Sequence, residues 1–118
     1  MWWALTAIAA LALASANAVA EETVKVGLIL PMTGPFTTTG KQVEAGARFY
    51  MQQNGATVDG RKIELILRDD AGVADNSRRI AQQLLAVDKV NILAGFGLTP
   101  IALAVPPLAT ETKTRPWW

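Results

Sequence analysis

The sequence contains no cysteine and no histidine. Their absence excludes disulfides, thiol nucleophiles, Cys/His zinc sites and every catalytic scheme built on an imidazole. Charge of either sign is missing from the first 20 residues, so all 11 basic and all 10 acidic side chains lie after them. The near balance, a formal +1, supplies neither a basic stripe for nucleic acid nor a cationic surface for anionic lipid. There is also no internal repeat, low-complexity tract or linker. What the chain does have is apolar content: 51% of its 118 residues are hydrophobic and 18% charged, enough for one packed domain.

Met1 to Ala20 reads MWWALTAIAALALASANAVA. The apolar run from Trp2 to Ala14 gives way to Ser15, Asn17 and the small-residue series Ala18-Val19-Ala20. That is the layout of a secretory signal peptide, a short helix cleaved after Ala20 to leave Glu21 as the new N-terminus. A membrane anchor needs about 20 predominantly apolar residues, and this run is shorter. No Lys or Arg precedes it, so the α-amino group is its only positive charge. The absence of cysteine excludes lipid attachment at the cleavage point. A soluble periplasmic product is expected, with residues 1–20 removed and residues 21–118 forming the domain.

The mature part opens with Thr23 to Leu30 (TVKVGLIL), a β-rich run that loses its polar alternation toward the end. This suits a strand buried on both faces of a parallel sheet. Pro31, Gly34 and Pro35 break it. From Gly40 to Asn54, residues Val43, Gly46, Ala47, Tyr50 and Met51 recur at helical spacing, predicting a helix that buries them. Thr39 with Gln42 has the form of a capping box for its start. Glu44 and Arg48 form an i,i+4 pair, and Asn54-Gly55 stops the helix. Asp59-Gly60 is a turn, Lys62 to Arg68 a second strand, and Asp69-Asp70-Ala71-Gly72 its end. A second helix from about Asp75 to Val87 would bury Ile80, Ala81, Leu84 and Val87. A third strand, Val90 to Ala94, closes at Gly95. The loop Phe96-Gly97-Leu98-Thr99 leads to Pro100, which suits a first helical position, and Pro106-Pro107 should kink or shorten that third helix.

Strands alternating with helices predict a three-layer α/β fold, a doubly wound parallel sheet with right-handed crossovers. Ligands of such sheets bind beyond the carboxyl ends of the strands, where the strand order reverses. If the first strand lies between the other two, the crevice falls between Pro31 to Thr39 and Gly95 to Thr99. Both loops are rich in Gly, Thr and backbone N–H groups at helix starts, which suits an anionic group such as a carboxylate.

The stretches VKVGLILPMTGPFTTTGKQVEAGA, DGRKIELILRDDAG and VNILAGFGLT with ALAVPPLATE resemble the N-terminal lobe of the leucine/isoleucine/valine-binding-protein family. These are type I periplasmic substrate-binding proteins of ABC transporters, and the resemblance runs from Thr23 to about Lys113. It implies a partial first lobe of a two-lobed fold that closes around a small ligand without cofactor or covalent chemistry. It also implies an ABC permease in the inner membrane as partner. Relatives place a Ser or Thr at the position of Thr99 against the ligand's α-carboxylate or α-amino group, so Thr99, with Gly97, Leu98 and Phe96 beside it, is the expected contact. Thr39 occupies a position where relatives that bind branched amino acids often carry an aromatic residue. The smaller Thr39 leaves room for an aromatic acid or another bulky carboxylate. With the second lobe lacking, weak or no binding and poor stability are expected, the outer edge of the third strand staying open.

Plainer readings stand beside these. Thr99 serves equally as a helix N-cap, and the capping box is a sufficient explanation of Thr39. Phe36 lines the pocket or, more plainly, packs over the first helix. Asp69 and Asp70, adjacent on a strand, point to opposite faces and read as a solvated strand end with local turn hydrogen bonds rather than a metal or acid/base pair. Arg78-Arg79 is a solvated helix face. Gly95-Phe96-Gly97 resembles the start of a dinucleotide loop, but Pro100 takes the third glycine's place. An exported α/β enzyme or cofactor-binding fragment is the alternative class, although no nucleophile and base pair is visible. A non-functional truncation product is the other.

Overall fold

The computed structural model describes residues 22–113 and 115–116, with side chains for residues 22–113. The expected signal segment, with Ala20 and Glu21 at its cleavage point, lies outside the described residues, as do Trp117 and Trp118.

The elements follow in the order β1 (Thr23–Leu30), α1 (Thr37–Asn54), β2 (Thr57–Val58), β3 (Arg61–Asp69), α2 (Ala74–Ala86), β4 (Ile92–Gly95), α3 (Thr99–Ala104), α4 (Pro106–Glu111) and β5 (Arg115–Pro116). They build one sheet in the order β2-β3-β1-β4-β5. β1 runs parallel to both β3 and β4, so the first long strand lies between the next two, as the crevice requires. Asp59 and Gly60, both at positive φ, form the two-residue hairpin turn that pairs β2 with β3 in antiparallel fashion. β5 pairs with β4, Ile92 opposite Arg115 and Leu93 opposite Pro116. The expectation of an open edge on the third strand is corrected in part, because β5 occupies it at Ile92 and Leu93 and not at Ala94 and Gly95.

Strand alternation divides the core. A side chain added at Gly27 would meet Leu84, Leu93 and Val90, so the odd positions of β1 face α2. On that side Ile29, Ile80, Ala81, Leu84, Leu93, Ile101 and Val105 form a buried cluster. The right-handed crossover rule puts α1 on the opposite side. There Leu28 and Leu30 are buried, but Val26, Leu65, Leu67 and Ile92 are only half-buried.

The first helix departs from expectation in two ways. It begins at Thr37 rather than Gly40, because Phe36 O accepts the first helical bond, from Gly40 N at 3.2 Å. Thr39 is then inside the first turn, and no capping-box bond forms. Its predicted core face is not covered either: Val43 is exposed, Tyr50 is 64% exposed, and Gly40 is the helix's buried residue. Gly55, at φ 81°, ends it as expected.

In α2 the buried residues are Ser77, Ile80, Ala81, Leu84 and Leu85, an i, i+3, i+4, i+7, i+8 stripe. Val87 lies just past the last helical residue, as the C-cap, and is 71% exposed, so its predicted burial is corrected, and Leu85 is buried instead. The prolines shorten the third helix, as expected: α3 ends at Ala104 and a separate α4 begins at Pro106.

Candidate functional site

The carboxyl ends of β1, β3 and β4 release three loops that meet one another. A methyl group added at Gly72 would lie 3.1 Å from Phe36 Cδ2 and 3.5 Å from Leu98 Cδ1, which places all three loops at one point. A methyl at Gly97 would lie 3.1 Å from Pro31 Cδ. Phe36, Pro31, Gly97 and Leu98 are thus brought together at the topological switch point, where doubly wound sheets hold ligands.

Two glycines set how closely the walls approach the sheet. At Gly40 an added Cβ would stand 2.2 Å from Pro31 O, so α1 starts hard against the end of β1. Gly95 has φ +110°, and its Cβ would stand 2.2 Å from Ile29 O. Only a residue without a side chain fits either place.

The expected site residues separate. Thr99 and Gly97 are exposed, and Leu98 is half-buried. Thr99 is not the N-cap: Leu98 holds that position in extended conformation, and its carbonyl accepts from the amides of Ile101 and Ala102. Thr39 is exposed on the first turn of α1. Phe96 is different. It is buried in the core cluster with φ 63°, its amide donating to Ile29 O at 3.0 Å, so its ring belongs to the core and its backbone shapes the loop.

The aspartate pair carries more structure than a solvated strand end. Asp69 Oδ1 accepts from the amides of Met32 (2.9 Å), Thr33 (3.3 Å) and Ala71 (2.8 Å), and Oδ2 from the Thr33 hydroxyl (2.7 Å). Asp69 is exposed, and the slight desolvation it does undergo works to raise its pKa, but the Thr33 hydroxyl and the amides of Ala71, Met32 and Thr33 outweigh it. The carboxyl is held below its ordinary value of 3.8. Asp70 is fully buried, which corrects the solvated reading: Oδ1 accepts from Gly72 N at 2.8 Å and Oδ2 from Ser77 Oγ at 2.6 Å. The two carboxylates serve separate partners, as strand alternation requires. Ser77, on the buried stripe of α2 seven residues after Asp70, is the signal that would have found this bond. Arg78 and Arg79 are exposed, Arg78 pairing with Asp75 at 2.8 Å.

Among the described residues, no group of three acidic side chains gathers as a metal site, and no helix is long and apolar enough to cross a membrane. A hollow of about 320 Å³ beside Val24, Val58, Arg61 and Ile63 lies at the opposite end of the sheet from the crevice.

The doubly wound sheet carries glycine-cut loops at its switch point, the place where sheets of this architecture hold small molecules. Residues 23–116 match the family described as periplasmic binding protein. A Leu/Ile/Val-binding protein homolog from Brucella abortus (strain 2308) is 43% identical over 110 residues, which are 92% of this chain and 28% of the relative. The solute-binding protein of an ABC transporter from Rhodopseudomonas palustris BisB5, solved with 3,4-dihydroxybenzoic acid, is 54% identical with a TM-score of 0.79, covering 81% of this chain and 26% of that one. Its counterpart from Rhodopseudomonas palustris HaA2, solved with p-hydroxybenzoic acid, is 36% identical with a TM-score of 0.76, covering 80% and 26%. The chain belongs to the periplasmic binding protein family. It spans about a quarter of the length of these relatives, which are solute-binding proteins and not enzymes.

Proposed function

We propose that this chain contributes one wall of the solute site in the periplasmic receptor of an ABC importer, and that the solute is an aromatic carboxylate. The observation that carries the reading is the 54% identity to a relative holding 3,4-dihydroxybenzoic acid. The crevice chemistry agrees. Phe36 and Leu98 offer apolar surface at the loop junction, and the exposed Thr99 hydroxyl and Gly97 offer donors for a carboxylate. Thr39 adds no bulk to the far wall. Residues 1–20 act as the cleaved export signal, residues 21–118 as part of the first lobe, and the loaded receptor presents its solute to an inner-membrane permease for import.

A second reading, a branched-chain amino acid as solute, is favoured by the Brucella relative's name. Ligand sites of this kind enclose roughly 70–90% of the ligand surface, which one wall cannot do. Affinity in the millimolar range, about −4 kcal/mol, is the expected consequence. NMR shift mapping suits such weak binding. Millimolar 3,4-dihydroxybenzoate should perturb amides in residues 32–36 and 96–99, and leucine should not. Selective perturbation by leucine would establish the second reading, and silence with both would remove the solute-binding reading of this chain.

A further inference from the structure

We propose that Asp69 is a positioning residue of this crevice, its carboxylate pinning the β1–α1 loop to the β3–α2 loop and so fixing one wall of the site, a role that rests on the solute-binding reading above. Asp69 is the last residue of β3 and pairs with Leu30, the last residue of β1. Its side chain therefore leaves the sheet where both loops begin. The bond to the Ala71 amide is an ordinary Asx turn that many strand ends form. The other three are not local, since they come from Met32 and Thr33, 36 to 37 residues earlier in the sequence.

The β1–α1 loop has few ties of its own. Thr37 N and Thr37 Oγ1 both donate to Gly34 O, bonds that stay near the helix start and do not reach the β3–α2 loop. Asp69 supplies what those bonds do not, a charged acceptor shared by two consecutive amides and a hydroxyl of that loop. Phe36, whose ring covers Gly72, closes the same junction from its apolar side. The loop is held at both ends of its span, by the carboxylate near Met32 and by the ring at Phe36. Its wall of the crevice is formed before any solute arrives, and pre-forming a wall removes an ordering cost from binding.

Amide hydrogen exchange on the chain, followed by NMR, tests this. In Asp69→Ala, exchange at Met32, Thr33 and Ala71 should speed by about tenfold, the effect of losing a bond to a charged group. Core amides at Ala81 and Leu93 should keep their protection. Thr33→Val, which removes only the hydroxyl link, should speed Met32 and Thr33 by a smaller factor, and Thr33→Ser should restore them. Unchanged loop exchange in Asp69→Ala overturns the proposal. Acceleration spreading equally to Ala81 and Leu93 overturns it too, because the residue then holds the fold rather than the loop. Titration of the same samples with 4-hydroxybenzoate keeps the two readings apart. A parent chain that gives no response sinks the solute reading and leaves the loop result standing. A parent that responds beside an Asp69→Ala variant that responds equally sinks the positioning role.

Discussion

Ser77 Oγ lies 2.6 Å from Asp70 Oδ2, and both residues are fully buried. The pair ties the first turns of α2 to the end of β3. Val73 O, at 3.1 Å, is the hydroxyl's more distant acceptor. Ser77→Ala should leave Asp70 with one bonded oxygen and one stranded in the interior. A loss of about 1–3 kcal/mol follows, read as a lower urea midpoint with unchanged slope. Unaltered stability would mean that water replaces the hydroxyl.

This pair also shows where sequence reading stopped. Two aspartates at a strand end look solvated, because nothing local announces that a helix arriving seven residues later will bring a hydroxyl to one of them. The parallel sheet was legible from the alternation of strands with helices, whereas the place of β1 between β3 and β4 entered only as a condition and comes from the packed chain. The start of α1 was not legible. Thr39 and Gln42 have capping-box spacing, but the helix begins at Thr37 with Phe36 O as its first acceptor, and α1 then packs through Gly40 against Pro31 O, a contact that only the packed chain contains. Val87 failed for a simpler reason. It continues the spacing of Ile80 and Leu84, but α2 ends at Ala86, so Val87 caps the helix instead of packing from within it.

Acid should weaken the protein partly through Asp69. Its folded pKa lies below the ordinary 3.8, so its contribution is complete above that value and is lost as pH falls through the lower, folded one. Urea midpoints taken from pH 5 downward should fall, and Asp69→Asn should flatten part of that fall below 3.8. An identical acid profile in the variant would contradict the assignment.

Two glycine substitutions should have opposite signs. Gly95→Ala places a methyl against Ile29 O at a φ of +110°, and should cost more than about 1 kcal/mol from the backbone alone, with the clash in addition. Gly46, inside α1, has nothing within 4 Å of its absent side chain. Gly46→Ala should stabilise by about 0.5–1 kcal/mol, read as a higher thermal midpoint.

Self-association should run through the exposed aromatic pair of α1. Phe49 and Tyr50 are 61% and 64% exposed. Replacing both with Gln should leave stability within about 0.5 kcal/mol while lowering light scattering at high concentration. Scattering equal to the parent's would place the contact elsewhere.

Gly40 and Gly95 have one more consequence. Where a helix start and a strand end abut with nothing but a hydrogen between bare Cα and carbonyl oxygen, spacing is dictated by atomic radii and not by residue choice. The exposed loop positions near them can be rewritten one at a time without moving the scaffold that carries them. Solute preference and architectural upkeep then become separable problems, and a binding protein of this kind can acquire a new cargo without renegotiating its frame.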